Sequence, residues 1–152
     1  MANPGFLKLE RTQEEEIIQF FTFEHKLDTQ AKPKGDHADA QHKHKPIVIT
    51  KEIDKFTPAL YKALCSDEQI KTAKFSWFAT LGSKNEEQQV YSVTINNAKI
   101  VAIETSMPDT RETAEGHINL SEKITFAYEK ITWAYGKDES VRHEDESDRI
   151  DT

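Results

Sequence analysis

Apolar and polar side chains alternate along most of the chain, and this period of two predicts strands. Ala73, Phe75, Trp77, Ala79 and Leu81 alternate with Thr72, Lys74, Ser76, Phe78 and Thr80. Residues 6–10 form a shorter strand, followed by a polar connection at 14–16. In residues 17–27, Phe21, Phe23 and Leu27 alternate with Thr22, Glu24 and Lys26, which predicts one long half-buried strand. His25 falls on its apolar side and reads as a histidine near a sheet edge rather than a ligand. Tyr91, Val93 and Ile95 lead into Asn96-Asn97, after which Ala98, Ile100 and Ala102 carry the opposite parity. A bulge or sharp bend there would keep both halves facing the core, and a two-residue hairpin turn is the competing reading. The same shift recurs where Ile124, Phe126 and Tyr128 give way, across Glu129-Lys130, to Ile131, Trp133 and Tyr135. A strand that changes faces in this way can serve two sheets, with the irregularity as the corner.

One segment departs from period two. After the β-branched run Ile47, Val48 and Ile49, Thr57 and Pro58 give a helix start, with Thr57 as cap and Pro58 in the first helical position. Leu60 and Leu64, with Tyr61 and Cys65 beside them, form one apolar stripe, and Leu64 is taken as the inward residue. So short a helix needs a sheet to dock on. The expected fold is mainly β: a β-barrel built from two sheets, one short α-helix packed outside, and Trp77 and Trp133 in the core. Polar, turn-forming residues 82–87 and 107–116 connect its strands.

Residues 28–45 carry no periodicity, and they include Pro33 and Gly35. They supply Lys32, Lys34, His37, His42, Lys43, His44 and Lys45, with only Asp36 and Asp39 as nearby carboxylates. Histidines set among lysines suit a solvated or partner-contacting loop better than a metal centre. No metal or cofactor is expected.

Of the formal charge of −7, residues 137–152 hold −4, with seven acidic against three basic side chains. This stretch reads as an acidic disordered tail behind a domain of residues 1–136. The remainder is nearly balanced, which argues against a general nucleic-acid binder. A single cysteine, Cys65, allows no internal disulfide, and its place on the apolar stripe suggests a buried thiol. The N-terminal residues do not read as a secretion signal, and no run is apolar enough to span a bilayer. No nucleophile elbow or phosphate-binding glycine loop is present, and the acidic pairs at 14–16 and 86–87 fall in polar connections, so no catalytic residue is assigned.

Three stretches in order resemble the Hcp family, the tube protein of bacterial type VI secretion systems. HKPIVITKEIDKFTPALYKAL resembles the family signature around its helix, with Ile53-Asp54 and a proline-initiated helix. VYSVTINNAKIVAI is similar to a family strand at Asn97, Ala98 and Ile100, and ITFAYEKITWAY is similar to the closing strand at Tyr128, Glu129, Ile131 and Trp133. FLKLE fits the first strand. Two departures stand out: the loop at 28–45 is rich in lysine and histidine, and the acidic tail from Lys137 has no match in the family pattern.

The resemblance implies a homo-hexameric ring and stacked rings forming a hollow tube. A contractile sheath expels the tube, a VgrG-like spike tips it, and its lumen can carry secreted effectors. It also implies assembly in the bacterial cytoplasm and export without a cleavable signal peptide. A tail-tube protein of a phage-like contractile particle and a monomeric β-barrel for a small ligand are the alternatives. Within the tube reading, the loop at 28–45 is assigned to contact between rings.

Overall fold

The computed structural model describes residues 3–11, 15–29, 42–80, 86–111 and 120–147. The strands are β1 (Gly5–Glu10), β2 (Glu15–Phe20), β3 (Thr22–Glu24), β4 (Leu27–Thr29), β5 (His42–His44), β6 (Ile47–Glu52), β7 (Ile70–Thr80), β8 (Glu87–Ser106), β9 (Ser121–Ala127), β10 (Lys130–Tyr135) and β11 (Val141–Glu146). One helix, α1 (Thr57–Cys65), lies between β6 and β7. The expected mainly β fold with one short helix is what forms.

The asparagine pair organises the sheet. β8 is continuous for 20 residues, so the hairpin turn does not occur and the bend does. Asn97 takes φ 51°, a left-handed conformation that asparagine tolerates better than most residues. Its Nδ2 donates to Glu129 Oε2 at 3.0 Å, and the Glu129 amide donates to Asn96 O at 3.2 Å. The two parity shifts visible in the sequence therefore lie side by side. Before the bend β8 pairs with β7 on one side and β10 on the other; beyond it, β8 pairs with β9.

The sheet runs in the order β2-β1-β7-β8-β9-β6-β3, with β10 and β11 branching from β8. Its two ends, β2 and β3, are neighbours in the chain, joined at Phe21, whose amide donates to Thr50 O at 2.8 Å. The sheet thus returns on itself through a bend rather than through a ladder. The long strand expected over 17–27 is broken there, because one segment serves both β1 and β6. Its parity shifts accordingly: Ile18 and Phe20 are buried, Phe21 is 54% exposed, and Phe23 packs on the core.

Inside lie Leu7, Leu9, Ile49, Phe75, Ile95 and Phe126, each sealed from solvent. Burial of such side chains contributes about 1.5–3 kcal/mol apiece. Phe20 meets Phe75 and Trp77 edge-on at 5.8 and 5.7 Å, beside Phe23. Gly5 lies opposite Phe20 in the β1–β2 ladder, and a Cβ there would collide with the ring. Trp77 and Trp133 are partly buried at the core boundary.

The helix docks differently from its stripe. Leu60 and Ala63 are buried, Leu64 is only partly so, and Cys65 is exposed rather than buried. The stripe is rotated toward Thr57, because Thr57 is drawn inward. Thr57 is the first helical residue, not the cap, and Pro58 is the second. Its Oγ1 accepts from the Asp54 amide at 3.0 Å and donates to Glu122 Oε2 at 2.7 Å, so it is not spent on a helix amide. The cause is a buried cross-strand pair: Lys51 faces Glu122 in the β6–β9 register, and both side chains are fully enclosed. Lys51 Nζ lies 2.9 Å from Asp54 Oδ1 and 3.6 Å from Glu122 Oε1, and donates to Glu52 O at 2.9 Å.

The expected disordered tail is contradicted over β11, which pairs with β10 at all six positions from Lys130↔Glu146 to Tyr135↔Val141. Ladder bonds need no apolar side chains, and the turn before β11 is fixed by Glu139. That carboxylate takes Lys74 Nζ at 2.6 Å, Gln89 Nε2 at 3.0 Å and Ser92 Oγ at 3.2 Å. Residues 148–152 lie outside the described residues.

Candidate functional site

Strands β4 and β5 are the described ends of the loop at 28–45, and they form a separate two-stranded ribbon with Leu27↔His44 and Thr29↔His42. Lys32, Lys34 and His37 lie outside the described residues. Lys43 and Lys45 are exposed. His44 is not: it is 6% exposed. Its Nδ1 lies 3.0 Å from the Tyr128 hydroxyl and its Nε2 2.6 Å from Asp145 Oδ2. His42 Nδ1 reaches the same oxygen at 3.1 Å. Of the histidines proposed for a ring rim, His44 is removed by its burial and His42 is already paired within the chain.

The electrostatics of this cluster follow from its enclosure. Burial alone would raise the Asp145 carboxyl, but hydrogen bonds from His42 and His44 outweigh it and hold the group below the usual carboxylate range. Burial, then the Asp145 charge, push the Tyr128 phenol well above its ordinary value, so it remains a neutral hydroxyl. Both ring nitrogens of His25 are buried and, among the described residues, without a hydrogen-bond partner. Its ring lies 6.2 Å from Tyr128 and 5.9 Å from Trp133. Burial, and then the neighbouring His44, lower its pKa. Sequence reasoning missed Asp145, which stands 101 positions from His44 in a stretch where carboxylates read as solvated.

A second feature is the pair of open sheet edges. Among the described residues β2 is laddered only to β1, and β11 only to β10. Near one edge, Ile17 and Phe21 are 60% and 54% exposed; near the other, Tyr135 and Val141 are 64% and 67% exposed. Val141 is the cross-strand partner of Tyr135, Tyr135 that of Tyr91, and the Tyr91 ring lies 5.5 Å from Trp77. This row continues the face of Phe75 and Trp77 outward past the core. Apolar side chains placed this way fit chain–chain contact better than chemistry. Among the described residues, no three histidine, cysteine or acidic side chains are grouped to hold a metal ion. No described helix is long and apolar enough to cross a membrane.

Residues 8–135 match the family described as "Type VI secretion system effector, Hcp". The chain is 31% identical over 114 residues to the "Major exported protein" of Pseudomonas aeruginosa, an alignment covering 75% of this chain and 66% of that relative. A solved Hcp1 protein from the E. coli EAEC 042 pathovar superposes with a TM-score of 0.74 at 28% identity, covering 95% of this chain and 99% of the other. A further Hcp crystal structure gives 0.79 at 20% identity, over 96% and 100% of the two chains, and supports the fold alone.

Proposed function

The chain belongs to the Hcp family of type VI secretion proteins, and from that premise we propose that it is a structural tube subunit: six copies close into a ring, and rings stack into a hollow tube. The observation that carries the ring is the pair of open edges at opposite ends of β2-β1-β7-β8-β10-β11. An interface joining two different patches repeats head to tail and closes when its rotation is one-sixth of a turn. In this arrangement Ile17 and Phe21 of one copy pack against Tyr135 and Val141 of the next, covering both apolar edges at once. The contact is apolar packing of these exposed side chains.

Stacking is assigned to the ribbon end, through Lys32, Lys34, His37, Lys43 and Lys45, each repeated six times around one rim. Single exposed pairs contribute about 0–1 kcal/mol, so the repetition is what gives the contact weight. The tube is expelled by a contractile sheath, carries a VgrG-like spike and secreted effectors, and leaves the cell by that route; the role is mechanical, not catalytic. Electron micrographs of the purified protein test the reading. Six-fold rings that disappear in Val141→Asp support it, and rings unaffected by both Val141→Asp and Ile17→Asp remove these edges from the contact.

A further inference from the structure

The ribbon β4–β5 is laddered to no strand of the nine-stranded sheet among the described residues. It continues the β3–β6 pair along both chain segments, where the Lys45 amide donates to Lys26 O at 3.1 Å, and side chains tie it to β11. Asp145 Oδ2 takes both His42 Nδ1 and His44 Nε2, Tyr128 meets the other His44 nitrogen, and the Tyr128 hydroxyl also lies 3.4 Å from Lys45 O. The carboxylate only accepts, so each imidazole presents an N–H to it. His44 Nδ1 is then the acceptor for the Tyr128 hydroxyl when the ring is neutral. One oxygen thereby fixes two ring orientations and, through His44, the direction of a third hydrogen bond. Asp145 is itself held on a strand anchored from the opposite end, where Glu139 binds Lys74 on β7 and Gln89 and Ser92 on β8.

We infer that Asp145 is a positioning residue: β11 clasps the ribbon through His42 and His44 and sets the direction in which it leaves the main sheet to meet a second copy of the chain. The clasp stands on the contacts within one chain; only its consequence for the second copy rests on the stacking reading above. It also gives a task to β11, which lies beyond the residues 8–135 that the family model matches. Strand β11 acts as the ribbon's seat.

The full-length Asp145→Asn variant, nearly isosteric and uncharged, tests this by hydrogen exchange together with electron microscopy. Hydrogen bonds to a charged group are stronger than neutral ones, so ribbon amides at 27–29 and 42–45 should exchange about tenfold faster or more. Amides of β7, β8 and β10 should keep their protection, and Asp145→Glu, which keeps the carboxylate, should recover part of that lost in the ribbon. Unchanged ribbon exchange overturns the clasp, as does loss of β10 protection to the same degree, which would mark mere loss of the strand. Tubes should become fewer while single rings persist. A loosened ribbon with undiminished tubes overturns the stacking consequence and leaves the clasp standing.

Discussion

Lys51 and Glu122 are both fully enclosed and face each other across β6 and β9, so their removal should be costly singly and cheap together. Among the described residues, Lys51→Met leaves Glu122 in the interior with only the Thr57 hydroxyl as donor, and its Oε1 has no hydrogen bond even in the intact protein. Breaking a buried pair from one side costs about 3–5 kcal/mol, and this variant belongs at the upper end. Glu122→Gln is milder. Lys51 keeps Asp54 Oδ1 at 2.9 Å and Glu52 O, and the amide oxygen can still receive Thr57, so about 3 kcal/mol is expected. The double variant Lys51→Met/Glu122→Leu replaces both charges by apolar volume and should be near wild type, or more stable by about 1–4 kcal/mol. Urea unfolding of the single and double variants, with the Glu122→Leu single completing the cycle, measures the coupling, which should exceed about 2 kcal/mol. Additive single effects, or singles below about 1 kcal/mol, would refute the claim that this pair is buried and seats the helix start.

Three further outcomes follow from the packing. Leu60→Ala should cost about 2–5 kcal/mol in urea midpoints and Leu64→Ala clearly less, since only Leu60 is sealed; the reverse order would mean the helix is rotated from its described seat. Deleting residues 138–152 removes β11 together with Glu139 and Asp145, so the melting temperature should fall by several degrees, whereas an unchanged value would mean β11 adds nothing to stability. His25 has a folded pKa below its unfolded value, so the folded chain binds fewer protons there and stability should be lost as pH falls from about 6.5. His25→Phe should flatten the pH dependence of stability between pH 7 and 5, and an identical slope in both proteins would contradict the buried, unpartnered ring.

The parts of this fold that were legible in the sequence are those governed by local pattern. Phe75 and Trp77 announce β7, and the parity change at Asn96-Asn97 announces a bend, because both are properties of one strand. What period two cannot convey is which strand lies opposite. Lys51 occupies an apolar position of β6 that alternation alone assigns to a hydrophobe, and only the register with Glu122 makes a lysine tolerable there. The same blindness displaced the helix stripe: Thr57 has the composition of a cap, but the buried carboxylate competes for its hydroxyl. Phe21 misled because a chain that turns from one sheet partner to another resets its parity without a glycine or proline to mark the place. β11 was hidden for a different reason: its stability comes from ladder bonds and from Glu139 and Asp145, and charged side chains in an acidic run look alike whether solvated or paired. His44 and Asp145 meet only through the fold.

The proposed ring stands or falls on the mass of the native particle. Native mass spectrometry of the purified chain at micromolar concentration should give a dominant species of six times the 17.5 kDa chain mass, shifting toward single chains in Val141→Asp. A protein that remains a monomer across that concentration range, with or without the substitution, would contradict the account.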